Sequence, residues 1–85
     1  MVHLKLVCVS FYLLQRGDPV LIGFLMDCIE SGRAVVRVTG VQLLQAYAEA
    51  GDELVIPVLQ EMMVHDEDEA ARMAASDALL RLDPL

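Results

Sequence analysis

The chain repeats itself, and that repetition limits the folds open to it. The stretch "GDPVLIGFLMDCIESGRAVVRVTGVQLLQAY", residues 17 to 47, aligns with "GDELVIPVLQEMMVHDEDEAARMAASDALLRL", residues 51 to 82. Gly17 and Asp18 stand over Gly51 and Asp52. Leu21, Phe24, Leu25, Cys28 and Ile29 then meet Val55, Val58, Leu59, Met62 and Met63. Apolar positions three, four, seven and eight apart mark one face of a helix. After one extra residue in the second turn, Val36, Arg37, Gly40, Leu43, Leu44 and Tyr47 meet Ala71, Arg72, Ala75, Ala78, Leu79 and Leu82, again at helical spacing. Each copy predicts a helix, a short turn and a second helix.

The punctuation agrees. Asp18 and Asp52 suit helix N-caps, and Pro19 falls at a first helical position, where a missing N–H costs nothing. Ser31 and Gly32 separate the first copy's helices, Gly51 divides the copies, and Pro84 halts the last helix at the residue before it. Pro57 lies near the end of its helix's first turn, which predicts a bend or a late start. The opening "KLVCVSFYLLQRGD" fits the same frame, with Lys5 in the place of Arg37 and Arg72. Its local alternation favours a strand, but no partner strand flanks it, and it is read as a second helix whose first helix is missing. Helices are expected near residues 3 to 15, 19 to 31, 34 to 49, 53 to 64 and 68 to 82. They form a single domain, made of a half repeat (1 to 16) and two repeats (17 to 50 and 51 to 85).

In "DELVIPVLQEMMVHDEDEAARMAASDALLRL", a proline in the first helix, an acid in the turn and an arginine in the second helix stand at Pro57, Asp66 or Asp68, and Arg72. A helix pair of about 35 residues with these marks resembles the HEAT repeat, specifically the short bacterial type related to phycobilisome-lyase HEAT-like repeats. The first copy keeps Arg37 but has Ser31 and Gly32 in the turn and Gly23 in place of Pro57. The resemblance covers residues 4 to 83 and implies an all-α, right-handed α-solenoid of about two and a half helix pairs. It implies architecture, and chromophore attachment is not carried over with it. Independently of the family, a turn acid caps the second helix, and an arginine one turn in reaches carbonyls or an acid of the next repeat. Lys5, Arg37, Asp66, Asp68 and Arg72 are therefore expected to act structurally between repeats.

Charge narrows the partners. Residues 1 to 50 hold four acids and four bases, while 51 to 85 hold nine acids and two bases, so the net −7 lies wholly in the second half. Without a basic stripe, direct binding to nucleic acid or to an anionic membrane is not expected, and a charged partner should be basic. The run "HDEDE", residues 65 to 69, lacks the spacing and the central glycine of a calcium loop. It reads as an acidic first turn that complements a helix dipole. With Glu61, Asp77 and Asp83 it can also form an acidic face that binds a basic protein or imitates DNA phosphates.

No nucleophile elbow or phosphate loop is present, and His3 and His65 fall in different repeats, so neither catalysis nor a cofactor nor a metal is expected. Cys8 and Cys28 lie in apolar runs and read as buried free thiols of a cytoplasmic protein. The opening run is too short to span a bilayer, and "QRGDP" after it holds no small-residue cleavage site. The starting Met favours a complete reading frame over a fragment of a longer solenoid.

An 85-residue chain that is 56% hydrophobic has more apolar side chain than so small a core can hide. In "VLIGFLMDCI", Val20, Ile22 and Met26 are apolar on the side expected to face outward. They either fill a core between neighbours or form a subunit or partner interface. The opening helix, lacking its pair, leaves Leu4, Val7, Phe11 and Leu14 on an open side, and homodimerisation there is expected. The second-helix surface with Arg33, Arg37, Gln42, Gln45, Arg72, Ser76 and Asp77 should line the concave, partner-facing side. The function expected is a non-catalytic interaction or scaffold module. The alternative is an acidic decoy that presents Glu67 and Glu69 to a basic protein.

Overall fold

A computed structural model describes residues 16–84, and these are helical, with no strand among them. Four helices follow in order: α1 (Pro19–Ile29), α2 (Ala34–Tyr47), α3 (Val55–His65) and α4 (Glu69–Leu82). The helix expected at residues 3 to 15, with Leu4, Lys5, Val7, Phe11 and Leu14, lies outside the described residues.

Three of the four described helices begin where a short acid satisfies free amides. Asp18 Oδ1 accepts from the N–H groups of Val20 (2.9 Å) and Leu21 (3.1 Å). Asp52 Oδ1 does the same for Leu54 (2.8 Å) and Val55 (3.1 Å), and Asp68 caps α4 through the N–H of Ala71 at 2.9 Å. α3 begins at Val55 rather than 53, the late start that Pro57 allows. α2 is the exception, for no side chain caps it at Arg33.

The C-terminal ends are tied down in matching ways. Gly17 N–H donates to the Tyr47 carbonyl and Gly51 N–H to the Leu82 carbonyl, each at 2.7 Å. A helix's last carbonyls have no partner within the helix, so each glycine satisfies one of them. Both glycines sit in left-handed backbone, at φ 79° and 82°. α2 therefore ends at Tyr47 and not 49, since Ala48 is already extended. α1 likewise stops at Ile29, short of 31, because the Glu30 amide turns back to the Asp27 carbonyl and the Ser31 amide to that of Cys28.

α1 packs on α2 and α3 on α4, while the two second helices, α2 and α4, pack on each other. One core results, with Leu25, Val41, Leu44, Val55, Leu59 and Leu82 as its largest fully buried side chains. α4 contributes mostly small residues, Ala71, Ala75 and Ala78, all fully buried, which lets α2 and α3 come close. Gly40 does the equivalent for α1: a Cβ there would lie 2.9 Å from Cys28 Cβ and 3.1 Å from Ile29 Cγ2.

The rotation of α1 corrects the sequence reading. Ile22, expected to face outward, is 7% exposed within the core stripe Ile22, Leu25, Ile29, and Met26 packs against that core. Phe24, expected inside, is 63% exposed, and Val20 is 67% exposed. A helix that is apolar all round carries no polar face to set its rotation, so the close approach at Gly40 sets it instead.

Candidate functional site

The polar centre of the molecule lies between the two interhelical turns. Arg37, from the first turn of α2, points across to Asp66 in the α3–α4 turn. Its Nε donates to Asp66 Oδ2 at 2.8 Å and its Nη2 to Oδ1 at 3.0 Å, a bidentate pair whose side chains are both largely buried. The third nitrogen, Nη1, donates to the Ser31 carbonyl at 3.0 Å. Arg72 repeats that last bond in the second pair, its Nη1 donating to the Asp66 carbonyl at 2.6 Å. Asp66 Oδ1 also accepts the N–H of Asp68 at 2.8 Å. One network thus joins both turns and both second helices.

The hydrogen bond from Arg37 holds the Asp66 carboxyl below the usual carboxylate range; burial opposes this, and the Asp68 amide and the charges of Arg37 and Arg72 add to it. The same bond raises the Arg37 guanidinium above its ordinary value. Every donor the pair needs is present, so the network is a brace. Arg37 is therefore no part of a partner-facing surface, contrary to its expected place on the concave side. Of the other residues expected there, Arg33, Gln42 and Asp77 are exposed, while Gln45, Arg72 and Ser76 are half-buried. Glu67 and Glu69 are exposed, with Glu69 in the first turn of α4.

Beside the brace, the first helices leave a cleft of about 370 Å³. Ile29, Val58 and Met62 contribute apolar surface and Glu30, Glu61, His65 and Asp66 polar surface. Carboxylates beside apolar wall suit the stem and head of a lysine or arginine. Glu30 and its cleft role are not legible in the sequence alone, because the helix pairs must first be set side by side. Among the described residues no group of three His, Cys, Asp or Glu side chains could hold a metal ion. Nor is any described helix long and apolar enough to cross a membrane.

Apolar surface lies at both ends of the pair of pairs, and equivalent positions show what a neighbour would cover. Ile29 is 5% exposed, close against Gly40 of α2, while its equivalent Met63 is 37% exposed. Leu80, on the side of α4 opposite its buried alanines, is 83% exposed. At the other end Phe24 and Val35 are exposed and Leu43 partly so. Of their equivalents, Ala78 is fully buried on α4, which packs on α2, Val58 is half-buried, and Ala70, like Val35, is exposed. Cys28, a free thiol, is half-buried at that same end. Compared with known proteins, the chain matches no family model, no curated protein and no solved structure.

Proposed function

We propose that the chain is a non-catalytic protein-interaction or scaffold module, built as a HEAT-like right-handed α-solenoid and self-associating through its apolar N-terminal end. The observation that carries this reading is the difference between equivalent side chains. Ala78 is fully buried where its equivalent Leu43 is 38% exposed, and Ile29 is 5% exposed where its equivalent Met63 is 37% exposed. Stacked helix pairs bury their apolar faces only against neighbours, so ends that are bare among the described residues favour contact with another chain. The recurrence of the same bonds in both pairs, at Gly17 and Gly51, Asp18 and Asp52, and Arg37 and Arg72, supports the solenoid.

The alternative, an acidic decoy for a basic protein, has a specific observation in its favour: the cleft lined by Glu30, Glu61 and Asp66 beside the exposed Glu67 and Glu69. Two sets of variants separate the readings. Leu4→Asp with Phe11→Asp should reduce self-association measured by light scattering, and Glu67→Lys with Glu69→Lys should leave it unchanged. Loss of assembly only in the charge-reversed protein would transfer the interface to the acidic side and reject the apolar-end reading.

A further inference from the structure

The arginines at the head of the two second helices begin alike and end differently. Each gives its Nη1 to the carbonyl six residues back, Arg37 to Ser31 and Arg72 to Asp66, so the two side chains share one posture. Arg37 uses its other edge, Nε and Nη2, to hold the Asp66 carboxylate of the neighbouring pair. Among the described residues no carboxylate meets that edge of the half-buried Arg72.

The helix face behind each arginine divides in the same way. Behind Arg37, Val41, Leu44 and Ala48 share one face of α2 and are fully buried where α2 packs on α4. Their equivalents behind Arg72 are Ser76, Leu79 and Asp83, and with Gln60, Met63 and Leu80 these line an open groove of about 360 Å³. We propose that this outer face of α4 is a docking surface for a helix pair of a partner protein with a carboxylate in its interhelical turn, which Arg72 receives as Arg37 receives Asp66.

Two observations favour this occupant over a second copy. A copy stacked on the face in the same way would bring its own first turn to Arg72, and Ser31 stands there in place of Asp66. The planar edge of a guanidinium is matched by a carboxylate, which takes both hydrogen bonds in parallel. Behind that turn the copy would bring Val36, Gly40 and Leu43, whereas α4 meets α2 with the fully buried Ala71, Ala75 and Ala78. Ser76 in place of Val41 and Asp83 in place of Ala48 also make the groove more polar than the contact inside the chain, which suits an exchangeable partner. This surface goes beyond the self-association under Proposed function and makes no use of the N-terminal end.

A tethered probe tests the inference: the full chain extended after Asp83 by a further copy of residues 49–84, so that an Asp66 is carried into reach of Arg72. The junction repeats the one between the pairs, because Asp83 is the equivalent of Ala48. Nitrogen-15 NMR of the arginine side chains gives the readout. In the unextended chain only Arg37 should show an Nε–H that exchanges on the order of tenfold or more slower than those of the exposed Arg16, Arg33 and Arg81. The extended chain should show two, the second from Arg72. Asp66→Asn or Asp66→Ser in the added copy alone should return the extended chain to one. A single slow Nε–H in the extended chain, or two whatever stands at the added Asp66, overturns the proposal. Light scattering of the unextended chain adds a second arm. A mass that falls in Arg72→Gln assigns the face to a second copy and overturns the proposal; a mass that Arg72→Gln leaves unchanged supports it.

Discussion

Asp66 is the residue on which the brace converges: its side chain takes Arg37 and the Asp68 amide, and its carbonyl takes Arg72. Because its carboxyl is held below the ordinary range, the unfolded chain takes up a proton at higher pH than the folded one. Its contribution to stability is complete above the ordinary carboxylate range and is lost as pH falls through that range to the folded-state value. Denaturant midpoints measured from pH 7 to pH 3 should therefore fall less steeply in Asp66→Asn than in the unaltered chain. An equal slope in both proteins would mean that the pair does not form. The caps make a simpler case: Asp18→Ala or Asp52→Ala should each cost about 1 kcal/mol, measured as a lowered midpoint in urea. Asp18, Asp52, Asp66 and Arg37 stand out in the sequence because acids before apolar runs and a lone base at the head of an apolar helix have few other uses. That Arg37 crosses to Asp66 while also holding its own turn is not legible there. It depends on how far apart the pairs stack.

At the scale of the helices, pattern and punctuation locate four elements to within about two residues at each end, and the discrepancies have local causes. Ala48 is extended after Tyr47 gives its carbonyl to Gly17, and Pro57 lets α3 start at Val55. The rotation of α1 is where the sequence is silent. "VLIGFLMDCI" offers apolar residues on every side, and only the approach to Gly40 decides that Ile22 goes in and Phe24 stays out. This makes Gly40 a sharp test of the packing. Alanine is the better helix former by about 1 kcal/mol, yet its Cβ would press on Cys28 Cβ, which cannot retract. Gly40→Ala should lower the thermal midpoint. A raised midpoint would show that α1 and α2 stand further apart than described.

For the whole molecule, the partition of apolar surface matters more than any single contact. Among the described residues, two helix pairs bury one core between them and leave Phe24 and Val35 bare at one end and Met63 and Leu80 at the other. A stack so short has nearly as much end as middle. The acidic second half makes face-to-face pairing of those halves unfavourable, since copies would set like charges together. On the proposed reading two copies meet at the N-terminal end, where residues 1 to 50 carry balanced charge, around a two-fold axis that closes the assembly. The direct measurement of this claim is the mass of the unaltered chain by light scattering over a concentration series from low micromolar upward. The account predicts a rise from one chain toward two that then levels off; a mass of one chain at every concentration would contradict it.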